Sequence, residues 1–521
     1  MHSWDERGEV WSMTRFYVTT AIDYVNGEPH LGHAYEKIGA DVLTRYMRQR
    51  KVDAFLLVGT DEHSLNVARS AAARGQEPQL YCDEMAAVFA AAYLRLGISY
   101  NRLVRTSEAE HKALVVKLVE RMHAAGHVYQ GEYAGWYCES CEAFMDEGQL
   151  LGGRCPTHPT RDVKWLTENN YFFALSQFEQ SLLRHIEAQP LFIQPEARRN
   201  EVLMRLKDGL RDISISRSSM DWGIPLPMDP SQVVYVWVDA LMSYLTGAGV
   251  SDVDQLGGWW PADYHIIGKD ILWFHCVIWP AVLMALGIPL PKAVSVHGFM
   301  RSPTGERLSK SSGVIIDPLV LSDKYGHEIL RYYLIKNIHW GRDCNFSTDE
   351  LELLYNNDLA NDYGNLLSRT TAMVERYFPE GLPSNDPSDV LDLQLIAAAA
   401  AAVSTFNETF ASLDFSSGIA AVVDLVSKAN KYVDLTVPWV LAKEARHERL
   451  STVLYQLLDA LHIATVLLAP VLPEHCQRVW RQLGLSGSPA DIDPAALTPG
   501  VYPRSARVNR GEAVFPRWER K

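Results

Sequence analysis

The spacing of apolar residues changes several times along the chain, and each change marks an element. Arg15-Phe16-Tyr17-Val18-Thr19-Thr20 has the β-branched and aromatic content of a buried strand. Leu31, Ala34, Ile38, Val42, Leu43 and Tyr46 then recur at helical spacing. The apolar run Ala54-Phe55-Leu56-Leu57-Val58-Gly59 reads as a second strand. Together they make a strand–turn–helix–strand unit, the start of a parallel α/β sheet. Residues 64–126 predict helices, with Leu80, Met85, Val88, Phe89 and Leu94 on one face. Two further buried strands, each leading into a helix, are expected at Val233-Val234-Tyr235-Val236-Trp237-Val238-Asp239 and Tyr264-His265-Ile266-Ile267-Gly268-Lys269-Asp270. From about Asp349 the pattern becomes almost wholly helical. Leu351, Leu354, Leu359, the alanines 397–402 and the stretch 454–468 suit a bundle packed through small and leucine positions. Near the end, Val514, Phe515 and Trp518 are too apolar for a free tail and predict an extended segment packed back on the body.

Size changes this picture only by requiring several cores, since 521 residues imply about three or four domains. Hydrophobic content of 47% and charged content of 21% belong to an ordinary globular protein. No unbroken apolar run of about 20 residues occurs, so no membrane span is expected. Trp4, Asp5, Glu6 and Glu9 do not form a signal peptide, and residues 1–13 read as a ragged extension. The cytoplasm is the expected compartment. A net charge of −14 counts mildly against a nucleic-acid partner, although basic groups cluster at Arg198-Arg199 and between Arg504 and Arg520. Seven cysteines do not make a disulfide scaffold in a chain this long. Three of them fall in one turn-rich segment, as Cys138-Glu139-Ser140-Cys141 and Cys155-Pro156-Thr157-His158. Three thiolates and one imidazole at this spacing suit tetrahedral zinc in a closed, architectural site.

The candidate chemistry starts at Pro29-His30-Leu31-Gly32-His33, at the start of the first helix. A helix N-terminus at the carboxyl edge of a sheet offers N–H groups and partial positive charge, which suits a polyphosphate. Gly32 has no side chain to hold a ligand off, and His30 and His33 add two imidazoles. Far downstream, Arg307-Leu308-Ser309-Lys310-Ser311-Ser312-Gly313 supplies a cation on a Gly/Ser loop. Either piece alone is unspecific. The pair resembles the HIGH and KMSKS signatures of class I aminoacyl-tRNA synthetases, and nearly the whole chain resembles the methionyl-tRNA synthetase family. A non-catalytic RNA-binding protein would have no use for both signatures, and a small-molecule nucleotidylyltransferase would not need the knuckle or the helical region.

The resemblance implies activation of L-methionine by ATP, with Mg2+, followed by transfer to tRNA(Met). It implies His30, His33 and Lys310 as catalytic groups, and Gly32, Gly268, Asp270 and His297 beside them at ATP. Arg307 stands where the family's first signature lysine lies, which keeps the charge but changes the reach. For methionine it implies Ala21, Ile22, Tyr24 and Asp61, then Trp237, Ala240, Leu241 and Tyr244 on one wall and Ile271, Phe274 and His275 on the other. Aromatic surfaces around a thioether suit its polarisable sulfur. Asn361, Asn365 and Arg369, spaced by four on a helix, and Trp439 resemble the anticodon-reading positions. The implied fold is a Rossmann-type parallel-sheet domain (residues 14–126 and 223–300) split by a zinc-knuckle connective insertion at 127–222. A signature-loop region at 301–358 and an α-helical anticodon-binding bundle at 359–521 complete it. One zinc is implied, with Cys138, Cys141, Cys155 and His158 as ligands, and a monomer is expected because the chain stops after the bundle.

Overall fold

Short apolar runs bounded by turns become the strands of one parallel sheet: β1 (Arg15–Thr20), β2 (Asp53–Asp61), β3 (Arg102–Arg105), β4 (Ile193–Gln194), β5 (Tyr264–Gly268) and β6 (Val294–His297). Their spatial order is β3-β2-β1-β5-β6-β4, and Asp23–Tyr24 extends the β1 side along Thr60–Asp61. The computed structural model describes residues 15–138, 143–145, 147–156, 162–218, 220–254, 256–302, 316–337 and 340–519. Val18 is in register with Leu56 on one side and with Tyr264 on the other, so β1 is central and buried at five of its six positions. The chain winds outward one way from β1 and the other way from β5. The crevice beyond the carboxyl ends of these two strands is therefore the switch point where an open α/β sheet binds ligands.

Helix α1 (Leu31–Gln49) packs on one face of the sheet and is buried on nearly every side, charged Glu36, Lys37 and Asp41 included. Three expectations need correction. The run 233–239 is not one strand: the strand Asp229–Val234 is antiparallel, in a small separate sheet, and helix α2 (Val236–Gly247) begins two residues later. Every residue of α2 except Trp237 is buried, and a helix that is apolar all round has the same sequence signature as a buried strand. In the helix Pro78–Arg95 the inner face is Tyr81, Cys82, Met85, Phe89 and Tyr93, whereas Leu80, Val88 and Leu94 are exposed. Neither β3, lying within the stretch read as helical, nor the two-residue β4 was anticipated.

Between the two halves of the sheet, Val128–Cys138, Ala143–Met145, Lys164–Phe173 and Ile213–Ser214 form an antiparallel sheet. This stretch is tied to the main domain, because β4 adds to the far edge of the parallel sheet beside Val294 and Ser295. After α3 (His327–Asn337), the helices α4 (Asn365–Tyr377), α5 (Val390–Ala411), α6 (Phe415–Thr436) and α7 (His447–Leu468) make the bundle. The apolar core on the α1 face runs without a break from Phe16 and Ile38 into Leu454 and Leu467. By length and composition α5 and α7 could cross a membrane, but the apolar stretch of α7 is wholly enclosed by protein, as in a bundle's central helix. The closing segment packs back as expected: Val514 and Phe515 are buried, and Tyr355 donates to the Pro516 carbonyl at 2.6 Å.

Candidate active site

His30 is the N-cap of α1. Its Nδ1 accepts from the Gly32 N–H at 3.1 Å, and His33 Nδ1 accepts from the His30 N–H at 3.2 Å. A Cβ on residue 32 would stand 3.0 Å from the His30 ring, so glycine is what lets that ring fold back over the helix end. The two imidazoles stack with centroids 3.7 Å apart. Because each Nδ1 accepts, the neutral ring carries its proton on Nε2, and both histidines become N–H donors at the head of the helix.

Gly268 and His297 end β5 and β6 in register with each other, and Asp270 follows on an exposed turn. A Cβ at Gly268 would meet Asp270 Oδ1 at 2.7 Å, a contact that a turn of the exposed Asp270 side chain would relieve. His297 is buried, with Nε2 3.0 Å from Glu36 Oε2 and Nδ1 2.8 Å from the Gly298 carbonyl. Lys310 and Arg307 lie outside the described residues. The described chain resumes at Ile316, whose carbonyl accepts from the Leu31 N–H at 3.0 Å.

On the other side of the crevice, Trp237 stacks on Phe274 at 3.8 Å and meets Tyr24 edge-on at 6.0 Å. The Trp237 indole N–H is buried and meets no acceptor among the described residues. His275 hydrogen-bonds through Nε2 to the Tyr244 hydroxyl (2.7 Å) and through Nδ1 to the Ile271 carbonyl (3.1 Å). Since Nδ1 donates to that carbonyl, Nε2 accepts. Burial pushes His275 down to about 4, so the ring is neutral at pH 7. Ala240 and Leu241 are buried on α2, Ala21 and Ile22 are half-buried just past β1, and Asp61 ends β2 almost fully enclosed. Asp61 pairs in register with Tyr24, so a carboxylate adjoins the aromatic group, a combination that suits an apolar amino acid and its ammonium group.

A family model described as "tRNA synthetases class I (M)" matches residues 16–164 and 159–371. The chain belongs to the methionyl-tRNA synthetase family. A methionine–tRNA ligase of Caldanaerobacter subterraneus is 42% identical over 505 residues, 96% of this chain and 78% of that protein. One from a Nostoc species is 40% identical and aligns over 97% of both chains. Among solved structures, a Mycobacterium tuberculosis methionyl-tRNA synthetase in complex with methionyl-adenylate superimposes with a TM-score of 0.91 at 39% identity, covering 97% of this chain and 100% of that one.

Two clusters in this methionyl-tRNA synthetase fold escaped the sequence reading. Lys37, fully buried, reaches Asp23 Oδ1 (2.6 Å), Glu36 Oε1 (2.9 Å) and the Ala21 carbonyl (3.0 Å), while the Tyr93 hydroxyl donates to Asp23. Burial works against its charge, but Asp23 and Glu36 outweigh that and hold the ammonium above its ordinary range. The signal available was a pair of charges, Glu36-Lys37, set among the apolar positions of the first helix. The second cluster is Asp239, gripped at 2.7 Å by both His63 and His111. Burial would raise its carboxyl, yet the two histidines hold it down at about 2. This clamp fixes α2 against the end of β2.

In the connective stretch, Cys138 and Cys155 are both fully buried, although Leu151 and Trp165 nearby are exposed. Cys141 and His158 lie outside the described residues. Among the described residues, His327, Glu328 and Glu474 offer ligand atoms within 4.8 Å of one another. Glu328, however, already accepts from the Glu474 and His475 N–H groups and caps the helix Pro473–Gln482. In the bundle, Asn361, Asn365 and Arg369 are all exposed, as expected of one face, and Arg369 lies 5.8 Å from the exposed Trp439 ring.

Proposed function

We infer that the chain is a methionine–tRNA ligase, which joins L-methionine to ATP as methionyl-adenylate and then passes the methionyl group to the 3' end of tRNA(Met). The observation that supports this reading is the Leu31–Ile316 hydrogen bond, which ties the chain three residues past Gly313 to the first residue of the helix capped by His30.

A methionine carboxylate oxygen attacks the α-phosphorus while the bond to the departing phosphate oxygen breaks, and pyrophosphate leaves with the electron pair. The nucleophile is already ionised at pH 7, so no base is required. The barrier is electrostatic, and preorganised donors lower it. In this reading the Nε2–H groups of His30 and His33 face one side of the phosphates, and Lys310 faces them from its loop. Gly32, Gly268, Asp270 and His297 shape the nucleotide site, and Mg2+ accompanies ATP. Asp61 receives the ammonium group. Ala21, Ile22, Tyr24, Trp237, Ala240, Leu241, Tyr244, Ile271, Phe274 and His275 enclose the thioether. In the second step a terminal ribose hydroxyl of tRNA attacks the activated carbonyl and AMP leaves.

Asn361, Asn365, Arg369 and Trp439 read the anticodon in this scheme, the amides at base edges and the indole by stacking. One zinc, held by Cys138, Cys141, Cys155 and His158, braces the connective stretch; two fully buried thiols in an otherwise exposed segment fit that donor set. The enzyme is taken to act as a cytoplasmic monomer. The test is amino-acid-dependent ATP–pyrophosphate exchange across the twenty amino acids, with methionine expected to dominate. Lys310→Ala should slow adenylate formation far more than it weakens methionine binding, and equal losses would remove Lys310 from the chemistry.

A further inference from the structure

We propose that Val437 is a positioning residue for tRNA recognition, a strained corner that holds Trp439 in one orientation; this rests on reading the bundle as the anticodon site. Val437 sits at φ 39°, ψ 60°, in the left-handed region. Four non-glycine residues have positive φ among the described residues, and Val437 is the only β-branched one. A β-branched side chain is a genuine outlier there, in a place that helices usually give to glycine.

Pro438 cannot extend α6 and disfavours a right-handed residue before it, but that preference alone points to extended backbone, so the left-handed angle of Val437 is set by the contacts on either side. Val437 donates to the Val433 carbonyl at 3.0 Å, which closes α6. Its own carbonyl accepts from Val440 (2.8 Å) and Leu441 (3.4 Å), which opens the short helix Pro438–Lys443. One residue thus ends one helix and starts the next, and buried Pro438 and Leu441 pin the far side.

What the corner aims is the indole two residues on. Trp439 is 47% exposed, and Leu435 (53%) and Val440 (36%) are exposed on either side of the turn. Arg369 Nη2 reaches Asp434 Oδ1 at 3.3 Å, in the last turn of α6, while the same guanidinium lies 5.8 Å from the Trp439 ring beyond the corner. Asp434, Arg369 and Trp439 therefore close a ring across Val437, and its angle sets their spacing. Exposed apolar faces beside a guanidinium form a stacking platform for unpaired bases. Glycine at 437 would relieve the strain but open a broad range of backbone angles. Valine keeps the indole in one basin at the expense of stability.

The experiment compares Val437→Gly, Val437→Ile and Trp439→Ala in the full chain by methionine-dependent pyrophosphate exchange, KM for tRNA(Met) in aminoacylation, and Tm. Val437→Gly should leave exchange unchanged and Tm equal or higher, while KM for tRNA rises about tenfold, the scale of one lost base–aromatic stack. Val437→Ile, which keeps the branch, should match the parent. If Trp439→Ala raises KM and Val437→Gly does not, the positioning role is wrong while the anticodon reading stands. A Tm drop in Val437→Gly would likewise overturn the proposal, making the corner merely structural. If Trp439→Ala itself leaves KM unchanged, the anticodon reading of this face fails, and the proposal with it.

Discussion

Arg331 Nη2 stands 2.6 Å from Asp41 Oδ2, and both side chains are completely buried where the catalytic domain meets the helical region. Arg331 also donates to the Val471 and Pro470 carbonyls, and Arg45 gives Asp41 a second cation. Burial would raise the Asp41 carboxyl, but Arg331 first, then Arg45 and two Ser99 hydrogen bonds, hold it at about 2. A carboxyl lowered in the folded state contributes stability that is present above its unfolded pKa and lost as pH falls through the folded one. The pair should therefore lend about 2 kcal/mol at neutral pH that disappears between roughly pH 4 and pH 2. Urea unfolding of the parent and Asp41→Asn should show a gap that narrows as pH drops below about 4; a gap independent of pH would contradict this. Arg331→Met takes away the nearer of Asp41's two cations and leaves the buried carboxylate only partly compensated by Arg45 and Ser99, which should cost about 3 kcal/mol at pH 7.

The stacked histidines make a kinetic prediction. His33→Ala removes a donor at the helix head together with the acceptor of the His30 N–H. Exchange should fall about 10²–10³-fold, the usual loss for one oxyanion-type donor, while methionine affinity stays near the parent value. Stopped-flow measurement of adenylate formation and equilibrium methionine titration separate the two effects. A matching loss in both would make His33 a binding residue instead.

The neutral His275 fixes how methionine binding responds to acid. With the ring held down at about 4, the pocket gains no charge between pH 8 and pH 5, and the methionine Kd should be flat over that range. Binding should weaken only as pH approaches about 4, when the protonated ring can no longer accept from Tyr244. Tryptophan fluorescence titration follows this directly, and a break near pH 6.5 would contradict the buried assignment.

The zinc proposal predicts one metal ion per chain, measured by elemental analysis. Cys155→Ser should lower that content and loosen the connective stretch, visible as faster amide exchange in Lys164–Phe173, while β1 and α1 stay protected. Unchanged metal content would rule out this ligand set.

Much of the architecture was legible because its signals are local. His30, Gly32 and His33 meet through contacts within four residues, so their arrangement at a strand-to-helix turn could be read from a short motif, although what they bind could not. The aromatic walls could be gathered only by resemblance, because Tyr24, Trp237 and Phe274 meet across more than two hundred residues of chain. Run 233–239 misled because α2 is buried on nearly every side, and periodicity vanishes when no face is wet. Leu80, Val88 and Leu94 misled in the opposite way, as surface leucines and valines of an otherwise ordinary helix. The Asp239 clamp is invisible to pattern, since His63 and His111 reach it from distant elements, whereas buried Lys37 left only the trace of an adjacent charge pair inside an apolar helix.

Helix α1 carries the imidazoles at one end. At the other, Gln49 Nε2 donates to the Val466 (2.9 Å) and Pro489 (3.0 Å) carbonyls, and Tyr46 reaches Asn407 at 3.0 Å. Nineteen residues make a rod of about 28 Å, too short and too well seated to bend much. The helix that presents the two stacked imidazoles beside the sheet is thus rooted at its far end in the bundle, and the two regions share one rigid element rather than a flexible join.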